Sequence, residues 1–379
     1  SQLAKQANVS VVRATDSLEA RWWNSKEKFF AFGVDAEGKA PAMVGIWPAV
    51  LLALNAGRHP YREAIAATEI FAKPELATDW GMRWISNKDQ LYDPVSYNNG
   101  TVWPFMTGIV AWAQYVRRHP VAGFATLNSV AHLTGVQSLG HLPEHMNGDR
   151  NIAGARSVPH QLFSSVGFVV AITRGLLGIS EDIADSTRHP QESCLRIEQW
   201  LPAQWQYVRF SNVATHAGLL SGEIHQEIGR AVARLELDGD SPLFVSVNLP
   251  HPFGARVRRV LLNGRPHKYG APDVIDFDRE WIEFTLRKRA EITFEYEGGV
   301  EIAPVAPQPE AGDRSTSLKI LSINRHFEGG RPEMGVDLAG LAVLQLQHVQ
   351  RRSEARAHVL SALRSPTLRS VIDKAELTS

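Results

Sequence analysis

The chain has a single cysteine, Cys194, in 379 residues. An internal disulfide needs two, so a disulfide framework is excluded, and so is a zinc site built from several thiolates. One cysteine leaves the compartment open. Neither sign of charge is in excess: 40 Lys and Arg face 40 Asp and Glu. A protein that tracks phosphates needs a basic surplus, so the total argues against a nucleic-acid partner. Long apolar runs are missing too. Each is broken by polar residues or proline well short of the roughly 20 residues that cross a bilayer, so no membrane partner is expected. No signal peptide is visible at the start. The chain opens at Ser1 without methionine, and the expectation is that an upstream piece was removed or never included.

What remains is an ordinary globular composition, 44% hydrophobic and 21% charged, long enough for two domains at roughly 100–200 residues each. Tryptophan is the unusual feature. There are ten, and Trp22, Trp23, Trp47, Trp80, Trp84, Trp103 and Trp112 fall in the first third. The pattern changes near residue 190. Before it, apolar residues recur at helical spacing in residues 42–56, 102–118 and 158–179, the last opening near Pro159 and closing at Gly178. About five to seven helices in antiparallel pairs are expected in residues 1–180. After residue 194 the period is two. Residues 243–249, 256–264, 281–287, 290–299, 317–323 and 334–349 read as strands, with Asn263-Gly264 and Gly298-Gly299 as hairpin turns. The expected organisation is a helical domain over 1–190, an antiparallel β-sandwich over 191–350 and a tail over 351–379.

Chemistry concentrates in four loop-like stretches of the helical half: residues 78–86 (TDWGMRWIS), 92–105 (YDPVSYNNGTVWPF), 142–149 (LPEHMNGD) and 158–165 (VPHQLFSS). Each mixes aromatic rings with amide, carboxylate or other polar side chains. Sugars need that mixture, because their C–H faces stack on aromatic rings while their hydroxyls seek bidentate polar partners. Cleaving a glycosidic bond needs two carboxyl groups across it. Taken singly, Trp80, Trp84 and Trp103 read equally well as core residues. Asp79 and Asp149 read as caps or turn residues, and Asp93 before Pro94 as a turn former. The weight lies in four such loops sharing one segment.

Residues 141–145 (HLPEH) fit H-x-x-E-H, a zinc-peptidase pattern that requires a continuous helix. Pro143 sits inside it without an N–H to give, so no metal is assigned. There is no Gly-rich phosphate loop, which argues against nucleotide chemistry.

At these four segments the chain resembles bacterial glycogen-debranching-type amylo-α-1,6-glucosidases, within the six-hairpin glycosidases. The resemblance rests on Asp79-Trp80-Gly81-Met82-Arg83, on the run from Tyr92 to Pro104, on Pro143-Glu144 with Asn147-Gly148-Asp149, and on the run from Pro159 to Ser165. The β half is similar to a C-terminal module of one subgroup at residues 201–205, 263–266 and 315–320. Asn98 stands where that family usually has His, and Phe163 where it usually has Trp. The resemblance implies part of an (α/α)6 toroid followed by a β-sandwich. It implies Glu144 as the general base of an inverting hydrolysis, and Asp79, Trp80, Arg83, Tyr97, Asn98, Trp103, His160 and Gln161 around an oligosaccharide or α-glucan, and, since such a reaction uses water and two carboxyl groups, no cofactor. The family's general acid is an aspartate on an earlier loop, and nothing upstream of residue 79 resembles that loop. The implied object is therefore a C-terminal portion whose partner is the missing half of the toroid, with an apolar face left uncovered. Asp79 and Asp149 are the internal carboxylates that could otherwise complete the pair. The other reading is a non-catalytic carbohydrate-binding or assembly subunit.

Overall fold

A computed structural model describes residues 2–31, 33, 35–38, 43–54, 67–117, 119–182, 194–201, 205–227, 229–250, 255–270, 281–298, 300–304, 320–325 and 333–334. The expected strand over 334–349 and the tail over 351–379 lie almost wholly outside these residues. The chain divides into two compact units, one mainly Ser1–Gly175 and the other mainly Leu176–Val305.

In the first unit the described α-helices are α1 (Gln2–Ser17), α2 (Pro48–Ala53), α3 (Pro104–Val116), α4 (Pro120–His132) and α5 (Leu162–Val170). Two short hairpins accompany them, β1 (Trp23–Asn24) with β2 (Phe29–Phe30) and β3 (Ala77–Thr78) with β4 (Gly81–Met82). Proline occupies the first turn of α2, α3 and α4. Its fixed φ suits that position, and its missing N–H is one the helix could not use there. The core gathers Phe29, Phe30, Ile46, Leu52, Phe71, Leu76, Ile85, Met106 and Val110. Burying side chains of this size stabilises by about 1.5–3 kcal/mol each. Helices α3 and α5 meet backbone to backbone. A Cβ on Gly108 would lie 2.3 Å from the Gly167 carbonyl, and one on Gly167 would lie 2.4 Å from the Phe105 oxygen.

Two helical expectations are corrected. Of residues 42–56, the described ones, 43–54, are helical only over Pro48–Ala53, because Gly45 bridges Ile85 and the Ile46 N–H donates to the Trp84 carbonyl. Residues 158–179 become helical only at Leu162. Upstream, the Val158 carbonyl accepts the Glu144 N–H and the Gln161 N–H donates to Leu142, which keeps that stretch out of the helix. At its far end α5 widens into a π-helical turn, Ala171–Leu176, and Ile179 already belongs to a strand.

The second unit is sheet-rich. Its strands are β5 (Ile179–Asp182), β6 (Cys194–Glu198), β7 (Tyr207–Thr215), β8 (Gly218–Glu227), β9 (Arg230–Asp238), β10 (Leu243–Asn248), β11 (Arg256–Leu262), β12 (Arg265–Pro266), β13 (Ile282–Leu286), β14 (Arg289–Glu297), β15 (Val300–Pro304), β16 (Ile320–Arg325) and β17 (Glu333–Met334). They form a four-stranded sheet ordered β13-β10-β6-β5, a six-stranded sheet ordered β12-β11-β14-β9-β8-β7, and a three-stranded sheet of β15, β16 and β17. The expected all-antiparallel pairing is corrected at one place: β6 and β10 run parallel, with Val245 beside Leu195. Parallel neighbours need a long crossover, and here the connection contains β7, β8 and β9. Between β11 and β12, Asn263 and Gly264 both take positive φ, 51° and 75°, as the two-residue hairpin turn requires.

Alternation along β9 and β13 buries Leu235, Leu237, Ile282, Phe284 and Leu286. The other face of the six-stranded sheet carries opposite charges in register. Arg234 lies opposite Glu223 on β8 and Glu291 on β14, and bonds to them at 2.9 Å and 2.8 Å. Arg289 lies opposite Glu236 at 2.6 Å, and Arg259 opposite Glu295 at 2.9 Å.

Candidate active site

The four loops singled out in the sequence come together in the first unit. The fourth is tied to the third by the Glu144 N–H on Val158 and the Gln161 N–H on Leu142; the first three are joined by single-residue antiparallel bridges rather than by full strands, Arg83 with Val102 and Val102 with Met146. Arg83 clasps them. It is 1% exposed. Its Nε donates to the Gly148 carbonyl at 2.8 Å and to the Tyr92 hydroxyl at 3.1 Å, and its Nη1 donates to the Pro74 carbonyl at 2.9 Å. Asp149 stands 3.6 Å from Nη2 and accepts the Tyr92 hydroxyl at 2.7 Å. Burial and that bond to Asp149 hold the Tyr92 phenol well above its usual range, so it stays a neutral donor. Gly148 is needed where it is: its N–H donates to Pro94, and a Cβ there would lie 2.3 Å from the Gly100 oxygen.

Glu144 sits on the third loop, and its surroundings fix its main chain. The Pro143 carbonyl accepts Ser164 Oγ at 2.9 Å, the Glu144 N–H donates to Val158 at 2.8 Å, and the His145 N–H donates to Ser157 Oγ at 3.1 Å. The side chain is half-buried. Its Oε1 accepts the Tyr97 hydroxyl at 2.6 Å. The bond to Glu144, with a smaller contribution from burial, pushes the Tyr97 phenol up to about 12.

An aromatic group surrounds this pair. Tyr97 meets Trp103 edge-on at 4.7 Å and His145 edge-on at 5.1 Å, while Trp103 stacks on His145 and on Phe163. The Trp103 Nε1 donates to the Tyr97 carbonyl at 3.1 Å. Burial lowers the His145 pKa, against the opposing charge of Glu144, so the imidazole is neutral near pH 7.

The expected site residues fall into two layers. Tyr97, Asn98 and His160 are exposed and Gln161 is partly exposed. The His160 ring stacks on His141 at 4.1 Å, and its Nε2 is 2.9 Å from Ser138 Oγ. Asp79, Trp80 and Arg83 lie beneath, none more than 3% exposed. Trp80 packs among Val102, Val130, Leu133, Leu142 and Met146 and donates its indole N–H to the Asn147 carbonyl at 2.9 Å. Asp93 closes a turn through the Val95 N–H at 3.0 Å. Tyr92 and His145 are the residues that sequence reasoning left out. Tyr92 opens the second motif, and its place before Asp93-Pro94 was the available signal. His145 was noticed only as half of the H-x-x-E-H pattern, and residues 141–145 form no helix. Among the described residues no group of three or more His, Cys, Asp or Glu could hold a metal ion.

Residues 1–151 match the family described as Mannosylglycerate hydrolase MGH1-like glycoside hydrolase domain. The matched residues fall within the first unit. Among solved structures the chain is similar to a sialidase, at 13% identity and TM-score 0.46, over 62% of this chain and 21% of that one. It is also similar to an α-L-rhamnosidase from Dictyoglumus thermophilum, at 11% identity and TM-score 0.44, over 78% and 30%. A third is the α-L-rhamnosidase of Streptomyces avermitilis complexed with L-rhamnose, at 15% identity and TM-score 0.38, over 69% and 22%. The chain thus spans less than a third of the length of each of these proteins. A comparison with proteins of curated function finds no match.

Proposed function

We propose that the helical unit is the base-bearing part of an inverting glycoside hydrolase, built as part of an (α/α)6 toroid followed by a β-sandwich. Its substrates are oligosaccharides or α-glucans with α-glucosidic bonds. One observation carries the reading: Glu144 is held by one carboxylate oxygen on a pinned loop, within the residues that match a glycoside-hydrolase family. In this mechanism Glu144 takes a proton from a water as that water attacks the anomeric carbon. An acid on the opposite side protonates the departing oxygen, with the two carboxyl groups about 6.5–9.5 Å apart. Asn98, His160 and Gln161 form the rim that meets the sugar, Tyr97 bonds Glu144 beside it, and Trp103 backs it. Asp79, Trp80 and Arg83 hold the loops from below.

Within these residues neither internal carboxylate suits the acid. Asp149 is engaged by Tyr92 and Arg83, and Asp79 is buried. The acid in this reading arrives on a further segment that packs on α5. There Leu162, Val166 and Val169 form a stripe at helical spacing that is 79%, 47% and 53% exposed.

The test is hydrolysis of maltooligosaccharides, a branched limit dextrin and mannosylglycerate, by the chain alone and with upstream segments restored. Glu144→Gln is the control, and the first-formed anomer is read by NMR. Inversion that is lost in Glu144→Gln is the expected result. Retention of configuration sinks the mechanism, and activity in the bare chain sinks the divided site. Silence throughout points to a carbohydrate-binding or assembly subunit.

A further inference from the structure

We propose that Tyr97 is a positioning residue for Glu144 rather than a sugar contact: its hydroxyl fixes one carboxylate oxygen so that the other is turned to water. The inference rests on Glu144 being the base. A general base needs one oxygen with a lone pair presented to water in a fixed direction. A glutamate has three rotatable bonds, and an unheld carboxylate sweeps over many orientations. Here Oε1 is occupied by the Tyr97 hydroxyl at 2.6 Å, within the short range of an O–H bond to a charged acceptor. Among the described residues Oε2 accepts no hydrogen bond.

The donor is itself fixed on three sides. The Tyr97 carbonyl accepts Trp103 Nε1 at 3.1 Å and Thr101 Oγ1 at 2.8 Å. The ring stands nearly perpendicular to Trp103, at 85°, and to His145, at 81°. It therefore occupies a corner formed by two rings that stack on each other. A phenol suits this task. It offers one donor hydrogen, and this one remains protonated across the working pH of any carboxylate base. A cation in its place would hold Glu144 in a tight ion pair and weaken its basicity. His145, the nearest ring that could become one, is kept neutral by burial.

The experiment has two readouts on the full chain. The first needs no turnover. Ionisation of Tyr97 is followed by ring-carbon NMR of labelled tyrosine, with Tyr97→Phe identifying the resonance. In the native chain it ionises near 12, and in Glu144→Gln its midpoint drops toward that of a free phenol. An unchanged midpoint in Glu144→Gln overturns the pairing. The second is kinetic, on whichever form turns over in the assay above. Tyr97→Phe lowers kcat by about ten- to a hundredfold, the cost of a lost orienting contact, and leaves KM within about twofold. A raised KM with kcat intact makes Tyr97 a sugar contact and refutes the positioning role, while Glu144 still stands as base. Full activity in Glu144→Gln removes the base itself, a separate failure.

Discussion

Replacing Arg83 by methionine tests whether the loops are held by carbonyl bonds or by the ion pair. Methionine is of similar length and fits an apolar surround. The change leaves the carbonyls of Gly148 and Pro74 without this donor, though each took it at 2.8–2.9 Å. A hydrogen bond from a charged donor contributes about 1.5–3 kcal/mol, but removing a buried charge also removes its desolvation cost. The net expectation is a loss of about 3–5 kcal/mol, at about 1–3 kcal/mol for each acceptor left without its donor. For a unit of this size that lowers Tm by roughly 8–16 °C. Asp149 contributes far less. It stands 3.6 Å away with its side chain 44% exposed, and water screens such a pair to about 1 kcal/mol or less. Asp149→Asn keeps an oxygen for the Tyr92 hydroxyl and so isolates the charge. Calorimetry of the two single variants and the double closes the cycle. The coupling should stay under about 1 kcal/mol while Arg83→Met alone costs several times that. If Asp149→Asn destabilises as much as Arg83→Met, the ion pair dominates and the carbonyl argument is wrong.

Other consequences are open to measurement. Gly108→Ala forces a Cβ within 2.3 Å of the Gly167 carbonyl. It should cost about 1–3 kcal/mol in denaturant unfolding, against little for Gly135→Ala, where nothing lies within 4 Å. Glu69 is pushed up to about 7 by burial, against the pull of Lys73 and Lys28. A native state that keeps its proton while the unfolded chain loses it is destabilised as pH rises. Stability should therefore fall between about 4.5 and 7, and Glu69→Gln should flatten that slope in pH-resolved melts. Val166→Lys on the α5 stripe should leave the Tm of the chain alone unchanged and abolish co-purification with a restored upstream segment. Equal recovery with and without the substitution would mean that the stripe is not the docking face.

The sequence marked the loops of the first unit more clearly than the elements around them. The four loops, marked between them by aromatic rings, glycine and polar side chains, do converge, because the marks have mechanical uses: Gly148 admits a neighbouring backbone, Arg83 reaches three segments, and Pro104 starts a helix beneath them. The depth of each side chain was not readable. Asp79, Trp80 and Arg83 looked like sugar contacts, yet a buried latch and a sugar clamp use the same residue types. The strands β7, β8 and β9 were missed although they are among the longest. Small and charged residues such as Ser221, Gly222 and Arg234 dilute the apolar alternation there. The parallel pairing of β6 with β10 has no local signature, since it is decided by a crossover far along the chain. The late start of α5 was hidden for the same reason: the Glu144 loop, outside that segment, keeps residues 158–161 out of the helix.

The charges on the six-stranded sheet also act as a check on assembly. A slip of one residue between β9 and β14 would turn every apolar side chain outward and is ruled out by the core. A slip of two preserves the faces, and burial alone would tolerate it. Yet moving two residues one way sets Arg289 opposite Arg234, and two the other way sets Glu291 opposite Glu236, given the native pairs. Either misalignment meets repulsion where the correct one meets attraction. Ion pairs that contribute little once the sheet is formed can thus still select which sheet forms, proofreading an alignment that the hydrophobic pattern leaves ambiguous.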